Sequence, residues 1–146
     1  MKFHFLTAQF YDDYADCDQI LIKDKRPYCF SVCEIDGLLM AVPLRSNFNK
    51  FNKYVIKIPK TNGGLDLTKS VVITDANRGK YIDARSAPVV RKEDYRYLLG
   101  KEYELEQRLK TFIKIYKKRY ETGIDDNSLL EYCSLKYFHK ELEIEK

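Results

Sequence analysis

Hydrophobic and polar residues alternate in several short stretches of the first half of the chain. Residues 2–7, 28–35 and 54–58 follow a period of two, which predicts strands that bury one face and expose the other. Residues 38–42 are apolar throughout, and residues 71–74 form a short β-branched run, so both are predicted to be buried strands. The pattern therefore indicates a sheet built mainly from the first half of the chain.

A tight hairpin is predicted between two of these strands. Asp36 and Gly37 separate residues 28–35 from residues 38–42, and both residue types adopt the positive φ that a type I′ turn requires. Pro43 has no backbone N–H to donate to a ladder, so we expect the returning strand to end there. The loop that follows the strand would then begin at Pro43.

The second half of the chain follows a helical period. Residues 101–120 predict a long amphipathic helix that ends at Gly123 as its C-cap. Shorter helices are predicted at residues 93–99, ending at Gly100, and from Asn127 or Ser128 to about Glu141. The apolar stripe of the long helix consists of Leu105, Leu109, Phe112, Ile113, Tyr116 and Tyr120. Its other surface is basic from Lys110 to Arg119. Such a surface could contact the backbone of a nucleic acid, but it is more typical of a solvated helix face.

Early strands and late helices predict an α+β fold, with an antiparallel sheet under a helical cover. A length of 146 residues favours a single domain, residues 1–146, with one core.

A short helix at residues 8–18 would carry a cluster of acidic side chains, namely Asp12, Asp13, Asp16 and Asp18. Such a cluster could hold a metal, but a solvated acidic face is the preferred interpretation because no histidine supports coordination.

Charge and cysteine content narrow the choice of function only a little. The net charge of +4 neither requires nor excludes nucleic acid, so the arrangement of charge has to decide. The four cysteines form no CxxC pair and only two histidines could join them, so we expect neither a zinc site nor a cofactor. The N-terminus turns acidic too early for a secretory signal and no run of apolar residues could span a membrane, so a cytoplasmic protein is expected.

Residues 42–54, VPLRSNFNKFNKY, are the candidate site. This loop combines cations, amides and a hydroxyl with two interleaved aromatic rings, a mixture suited to a polyanion that also presents flat bases. No Asp or Glu occurs between Gly37 and Leu65, so we expect its charge to be unopposed locally. The loop predicts an RNA-binding surface, although a merely basic, solvated connector would show the same composition.

Three short motifs of this chain occur in the same order in a known family. They are RPY at residues 26–28, PLRSN at residues 43–47 and GLDLTKSVVI at residues 64–73. Together with the Asp-Gly hairpin they resemble the toxins of type III toxin–antitoxin systems, the ToxN/AbiQ-like endoribonucleases, and most closely the CptN and TenpN branches. The resemblance covers roughly residues 1–120 in the order of elements.

The resemblance implies a highly twisted antiparallel sheet with surrounding helices. It also implies RNA cleavage without a metal, by attack of the 2′-hydroxyl, which leaves a 2′,3′-cyclic phosphate. The implied partners are target cellular RNA and a small, repeated pseudoknot RNA antitoxin, which the toxin cuts from its precursor and which then inhibits it. An RNA-mediated hetero-oligomer follows from the same resemblance, with a role in abortive infection as a phage defence.

The family's catalytic positions fall on a basic side chain before the second strand, here Arg26, and on Arg45 and Ser46 in the loop. Two positions depart from the ToxN pattern. Arg45 stands where ToxN has a threonine, and Phe48 stands where a lysine follows, so Lys50 is the expected substitute for that lysine. The family tyrosine ahead of the basic residue maps to Ile22, and a histidine expected near Asn49 is missing.

These residue types match the steps of strand scission. A guanidinium suits the charge of a pentavalent phosphorus, so Arg45 is assigned to it, with Arg26 in support. Lys50 is the candidate proton donor and Ser46 a hydrogen-bond donor to phosphate, while His4 and His139 are weaker candidates for a base. Predicted RNA contacts are Asn47, Phe48, Asn49, Lys53, Lys57, Lys60, Thr68, Lys69, Arg78 and Lys80.

Two other functions fit the same sequence. The chain could be an RNA-binding regulator without catalytic activity, which would bind RNA in EDTA and leave it intact. It could also be a protein-binding module that uses its aromatic surface, in which case nucleic acid would not copurify with it.

Overall fold

A computed structural model gives the fold and describes residues 2–21, 29–85, 88–125 and 128–144; of residues 29–33 it describes only the backbone. The strands are β1 (Lys2–Leu6), β2 (Cys29–Ile35), β3 (Leu38–Arg45), β4 (Val55–Lys57), β5 (Gly64–Asp66), β6 (Val71–Ile73) and β7 (Ile82–Asp83). They form an antiparallel sheet in the order β4-β5-β3-β2-β1-β7, and β6 also pairs with β3. The central position of β3 makes it the strand on which the rest of the sheet is assembled.

The predicted hairpin is confirmed. Asp36 and Gly37 have φ values of 49° and 83°, and β2 pairs with β3 in continuous register from Ile35↔Leu38 onward. Both turn residues are thus in the left-handed region that a type I′ turn needs. Because the turn sets the register, it also fixes which residue of β3 lies at each height of the sheet.

The prediction that the strand ends at Pro43 is wrong, since β3 continues to Arg45. On the side away from β2, the strand pairs with β6 through residues 39–41 and with β5 through Leu44 and Arg45. Pro43 lies in the gap between these two partners. A residue without an N–H is tolerated there because no β5 or β6 residue pairs with it.

Strands β3, β5 and β4 approach one another closely around two glycines. A Cβ on Gly64 would lie 2.4 Å from the carbonyl oxygen of Ile56, and one on Gly63 would lie 2.6 Å from that of Arg45. These distances are far inside van der Waals contact. The turn between β4 and β5 can therefore lie against the end of β3 only because residues 63 and 64 have no side chain.

The helices are α1 (Ala8–Asp13), α2 (Arg78–Tyr81), α3 (Lys92–Leu98), α4 (Glu102–Thr122) and α5 (Leu129–Tyr132). The long helix and its cap are confirmed. Gly123, at φ 73° in the left-handed region, is the C-cap that ends α4. Its predicted stripe is buried against the sheet except for Tyr120, which is half-buried. The core thus lies between the sheet and α4, and Tyr54 packs on Phe112 with ring centroids 4.9 Å apart.

Two helix predictions were too long. The first helix ends at Asp13 rather than residue 18, since further carboxylates at a helix C-terminus oppose the macrodipole. The last predicted helix breaks at Cys133, which is extended, and a 3-10 turn, Ser134–Tyr137, follows. The Ser134 hydroxyl donates to the carbonyl oxygens of Thr68 and Ser70, so a tertiary contact replaces the helical continuation.

The α+β class, with an antiparallel sheet and surrounding helices, is confirmed. One long helix, α4, is present in the C-terminal part, whereas α5 is a single turn. Within the described ranges, no helix has the length and apolar content needed to cross a membrane.

Gly64→Ala is expected to lower the free energy of unfolding by about 1–3 kcal/mol, because its methyl group would overlap the Ile56 carbonyl. Gly79→Ala is the matched control. Position 79 lies in α2 with open space around it, so alanine there should leave stability unchanged or raise it by about 0.5–1 kcal/mol. Urea unfolding of both variants measures the difference, and equal stabilities would contradict the close packing of β4 on β5.

Candidate functional site

The candidate site starts at the last residue of β3. Arg45 pairs with Gly64 of β5, and Gly64 pairs with Lys57 of β4, so these residues form one row across three strands. Their strand spacing places Lys57 roughly 10 Å from Arg45 between Cα atoms. Ser46 follows directly and is exposed. The sheet therefore holds Arg45 at the end of its central strand, with Ser46 directly after it and Lys57 two strands away.

A buried carboxylate holds the Arg45 side chain. Arg45 Nη1 donates to Asp66 Oδ2 at 2.9 Å, and Asp66 is only 1% exposed. The other oxygen, Asp66 Oδ1, accepts from the Thr68 backbone N–H at 3.1 Å and from the Thr68 hydroxyl at 2.6 Å. With both oxygens occupied, the carboxylate has no freedom to move away from Arg45.

This contact corrects one expectation from the sequence. The charge of the loop is not unopposed, because Asp66 lies just beyond the carboxylate-free stretch and reaches back to Arg45 across the β3–β5 pairing. The Arg45 side chain nevertheless keeps 32% of its surface exposed. A guanidinium has five N–H donors, and one of them bonds to Asp66 within the described part of the chain. Arg45 is therefore oriented by Asp66 and still open to an anion.

The aromatic residues of the loop pack on one another. Phe48 is 7% exposed, and its ring centroid lies 5.1 Å from that of Phe51. The central carbon of the Arg45 guanidinium lies 4.6 Å from the Phe48 ring centroid. The Phe48 N–H donates to the Asn62 carbonyl at 2.7 Å, which ties the loop to the β4–β5 turn. Lys57 Nζ stands 4.7 Å from the Phe51 ring centroid. Phe48, predicted as an RNA contact, thus serves as the internal support of the loop.

The other residues predicted in this region are exposed. They are the candidate proton donor Lys50 and the predicted RNA contacts Asn47, Asn49, Lys53, Lys57 and Lys60. Lys60 lies in the turn between β4 and β5 with φ at 64°. No lysine of this set forms an ion pair with a described carboxylate. This surface is therefore basic, and within it the ion pair with Asp66 holds Arg45 in place.

Thr68 and Lys69 lie behind this surface. Thr68 is buried against Asp66, and Lys69 Nζ donates to Gln19 Oε1 at 2.6 Å and to the Tyr132 carbonyl at 2.7 Å. Burial lowers the pKa of the Lys69 ammonium; the charge of Asp66 opposes this shift and that of Arg45 adds to it. The GLDLTK motif thus supports Arg45 from within.

The structure does not bring Arg78 and Lys80 to the loop. Both are exposed on α2, which leads into β7 at the opposite edge of the sheet from β4 and β5. Lys80 Nζ there pairs with Asp13 at 3.2 Å, so part of the acidic face of α1 is neutralised by this lysine. Arg26 and the RPY motif lie outside the described residues, as does Ile22.

Neither histidine lies in the loop. His4 is in β1 opposite Phe30, two strands away from β3. His139 Nε2 is 2.7 Å from the Tyr116 hydroxyl, and its ring packs on Tyr120, so it joins the C-terminal segment to α4. Within the described ranges, no three His, Cys, Asp or Glu side chains cluster closely enough to hold a metal ion.

Two residues that support the loop, Asp66 and Arg108, are not among the predicted site residues. Asp66 could have been suspected from the spacing Asp66-x-Thr68, since an aspartate often accepts from the backbone two residues on. Arg108 on α4 gave no local signal. Its Nη2 donates to the carbonyl oxygens of Lys53 and Val55 at 2.9 and 3.2 Å, which fixes the C-terminal end of the loop against the helix.

Comparisons with known proteins identify a related fold. No protein-family model and no curated protein matches the sequence. A solved structure of ToxN, from work on a bacterial antiviral system regulated by a processed non-coding RNA, matches with a TM-score of 0.64 over 98% of each chain. Sequence identity is 13%. The chain therefore has a ToxN-like fold over 98% of its length.

Proposed function

We propose that this chain is the toxin of a type III toxin–antitoxin system, an endoribonuclease that works without a metal ion. The observation that carries the proposal is the pairing of an exposed Ser46 with Arg45, which a buried Asp66 orients at the edge of a basic loop. The ToxN-like fold, which covers 98% of the chain, supports it.

The proposed reaction exchanges one P–O bond for another and involves two proton transfers, one from the 2′-hydroxyl to a base and one from an acid to the 5′-oxygen. The 2′-oxygen of the RNA attacks the adjacent phosphorus, the bond to the 5′-oxygen breaks, and the 2′-proton is removed while the leaving oxygen gains one. Negative charge grows on the phosphoryl oxygens. The Arg45 guanidinium and the Ser46 hydroxyl would donate to these oxygens, which places preorganised donors where charge develops.

Orientation by Asp66 matters for this role. A free arginine would lose side-chain entropy on ordering around phosphate, whereas Arg45 is already held by Asp66 and Phe48. Lys50 is exposed in the same loop and is the candidate to protonate the 5′-oxygen. Arg26 would add a second cation to the phosphate.

The partner proposed for the exposed surface is RNA in two forms. One is target cellular RNA, and the other is a small repeated pseudoknot antitoxin that the protein cuts from its precursor. The cations and amides around Ser46 provide phosphate and base contacts for both. Occupation of this surface by the antitoxin would block Arg45, and each RNA unit could join protein copies into a hetero-oligomer. Cleavage and its inhibition would take place in the cytoplasm.

A regulator that binds RNA without cutting it is the second candidate. The Arg45–Asp66 ion pair favours it, because a paired guanidinium brings less net charge to a phosphorane than a free one. The two functions differ in one measurement, the integrity of bound RNA.

Arg45→Ala and Ser46→Ala are each expected to lower the rate of RNA cleavage by roughly 100-fold or more, because each removes a donor to the reacting phosphate. The assay uses purified protein, single-stranded RNA and EDTA, with detection of 2′,3′-cyclic phosphate ends. Arg96→Ala, which removes an exposed arginine of α3, is the control and should cleave normally. Intact RNA with wild-type protein that still shifts in a gel would favour the regulator instead.

Asp66→Asn is expected to lower the free energy of unfolding by about 1–3 kcal/mol and to reduce cleavage more than RNA binding. The amide cannot accept all three hydrogen bonds that the carboxylate accepts, and it no longer pairs with Arg45.

Asp94→Asn is a matched control, since Asp94 is also buried and pairs with Arg91 at 2.9 Å, but on α3. It should cost comparable stability and leave cleavage unchanged. Equal cleavage by the two variants would mean that Asp66 does not position a catalytic group.

A further inference from the structure

A second feature lies at the other end of the loop, where it meets α4. A pocket of about 340 Å³ opens between the helix and the start of β4. It is lined by Lys53, Tyr54, Leu67, Gln107, Arg108, Thr111, Phe112 and Ile115. This volume is near the lower end of the range for small-ligand sites, so it suits one compact group.

The walls of the pocket have two kinds of surface. Leu67 and Phe112, both 1% exposed, and the half-buried Ile115 provide an apolar floor. Lys53, Gln107 and Thr111 are exposed at the rim and carry a cation, an amide and a hydroxyl. None of the described residues that line the pocket is acidic. An apolar floor under a cationic and amide rim fits a flat ring attached to an anionic backbone.

Tyr54 contributes to the lining through its ring. The residue is 8% exposed, and its hydroxyl is fully buried with no hydrogen-bond partner among the described residues. The hydroxyl is therefore closed to a ligand, and the ring is the part of this side chain that can contact one.

The pocket is joined to the candidate active site by backbone contacts. Leu67, on its floor, follows Asp66 directly in the chain, and the Leu67 N–H donates to the Tyr54 carbonyl at 3.0 Å. Arg108 holds the carbonyl oxygens of Lys53 and Val55. The residue that orients Arg45 and the residues that line the pocket therefore belong to one connected unit.

We propose that this pocket takes one unstacked nucleobase of the RNA whose phosphate is bound at Arg45 and Ser46. The base would lie on the apolar floor, and its edge would meet the Thr111 hydroxyl and the Gln107 amide. This inference rests on the proposed function, since it needs RNA at the loop. It adds a base-recognition site that is separate from the reacting phosphate.

The experiment compares two labelled single strands of equal length by fluorescence anisotropy. One is an RNA with all four bases, and the other consists only of abasic ribose-phosphate units. Thr111→Trp fills the pocket from an exposed helix position, and the same change at Thr122, exposed at the end of α4 outside the pocket, is the control. The Ser46→Ala background keeps the RNA uncut.

Thr111→Trp is expected to weaken binding of the base-bearing strand by roughly 5- to 150-fold, the usual contribution of one stacked base. Binding of the abasic strand should not change, and Thr122→Trp should affect neither strand. Equal weakening of both strands, or of neither, would overturn the base site while leaving the proposed function intact. Failure of wild-type protein to bind any RNA would overturn both.

Discussion

The ion pair between Arg45 and Asp66 is the contact on which the site depends. Asp66 is fully enclosed, and a carboxylate in that position is stable only because Arg45 and two donors from Thr68 satisfy it. The same pair orients a guanidinium at the surface. The Arg45–Asp66 bond therefore contributes both to stability and to the proposed function. It satisfies the buried charge, and it places the donor that would bind phosphate.

Close backbone packing makes this contact possible. Glycines at positions 63 and 64 let the β4–β5 turn lie against the end of β3, which brings Asp66 next to Arg45. The buried Phe48 and the Arg108 bonds then support the loop from opposite ends. An aromatic contact and a helix thus hold a loop that is polar in composition. Its exposed amides and lysines are not needed to order the loop and are free to contact a ligand.

A sheet and a helix can be specified by many sequences, which explains a shared fold at 13% identity. What such a fold conserves is the pattern of buried positions and turns, whereas site chemistry can change within it. In this chain Arg45 stands at the end of β3, and Phe48 is buried in the loop that follows it.

The sequence by itself determined the hairpin at Asp36 and Gly37, the buried stripe of α4 and the α+β class, because turn chemistry and periodicity are local properties. Its composition also singles out residues 42–54 as the candidate site, and this stays a prediction. Only the tertiary structure decided that Asp66 pairs with Arg45, that β3 passes through Pro43, and that the last helix breaks at Cys133. These features depend on which strands become neighbours and in what register, and contacts between residues distant in the chain leave no periodic trace in it.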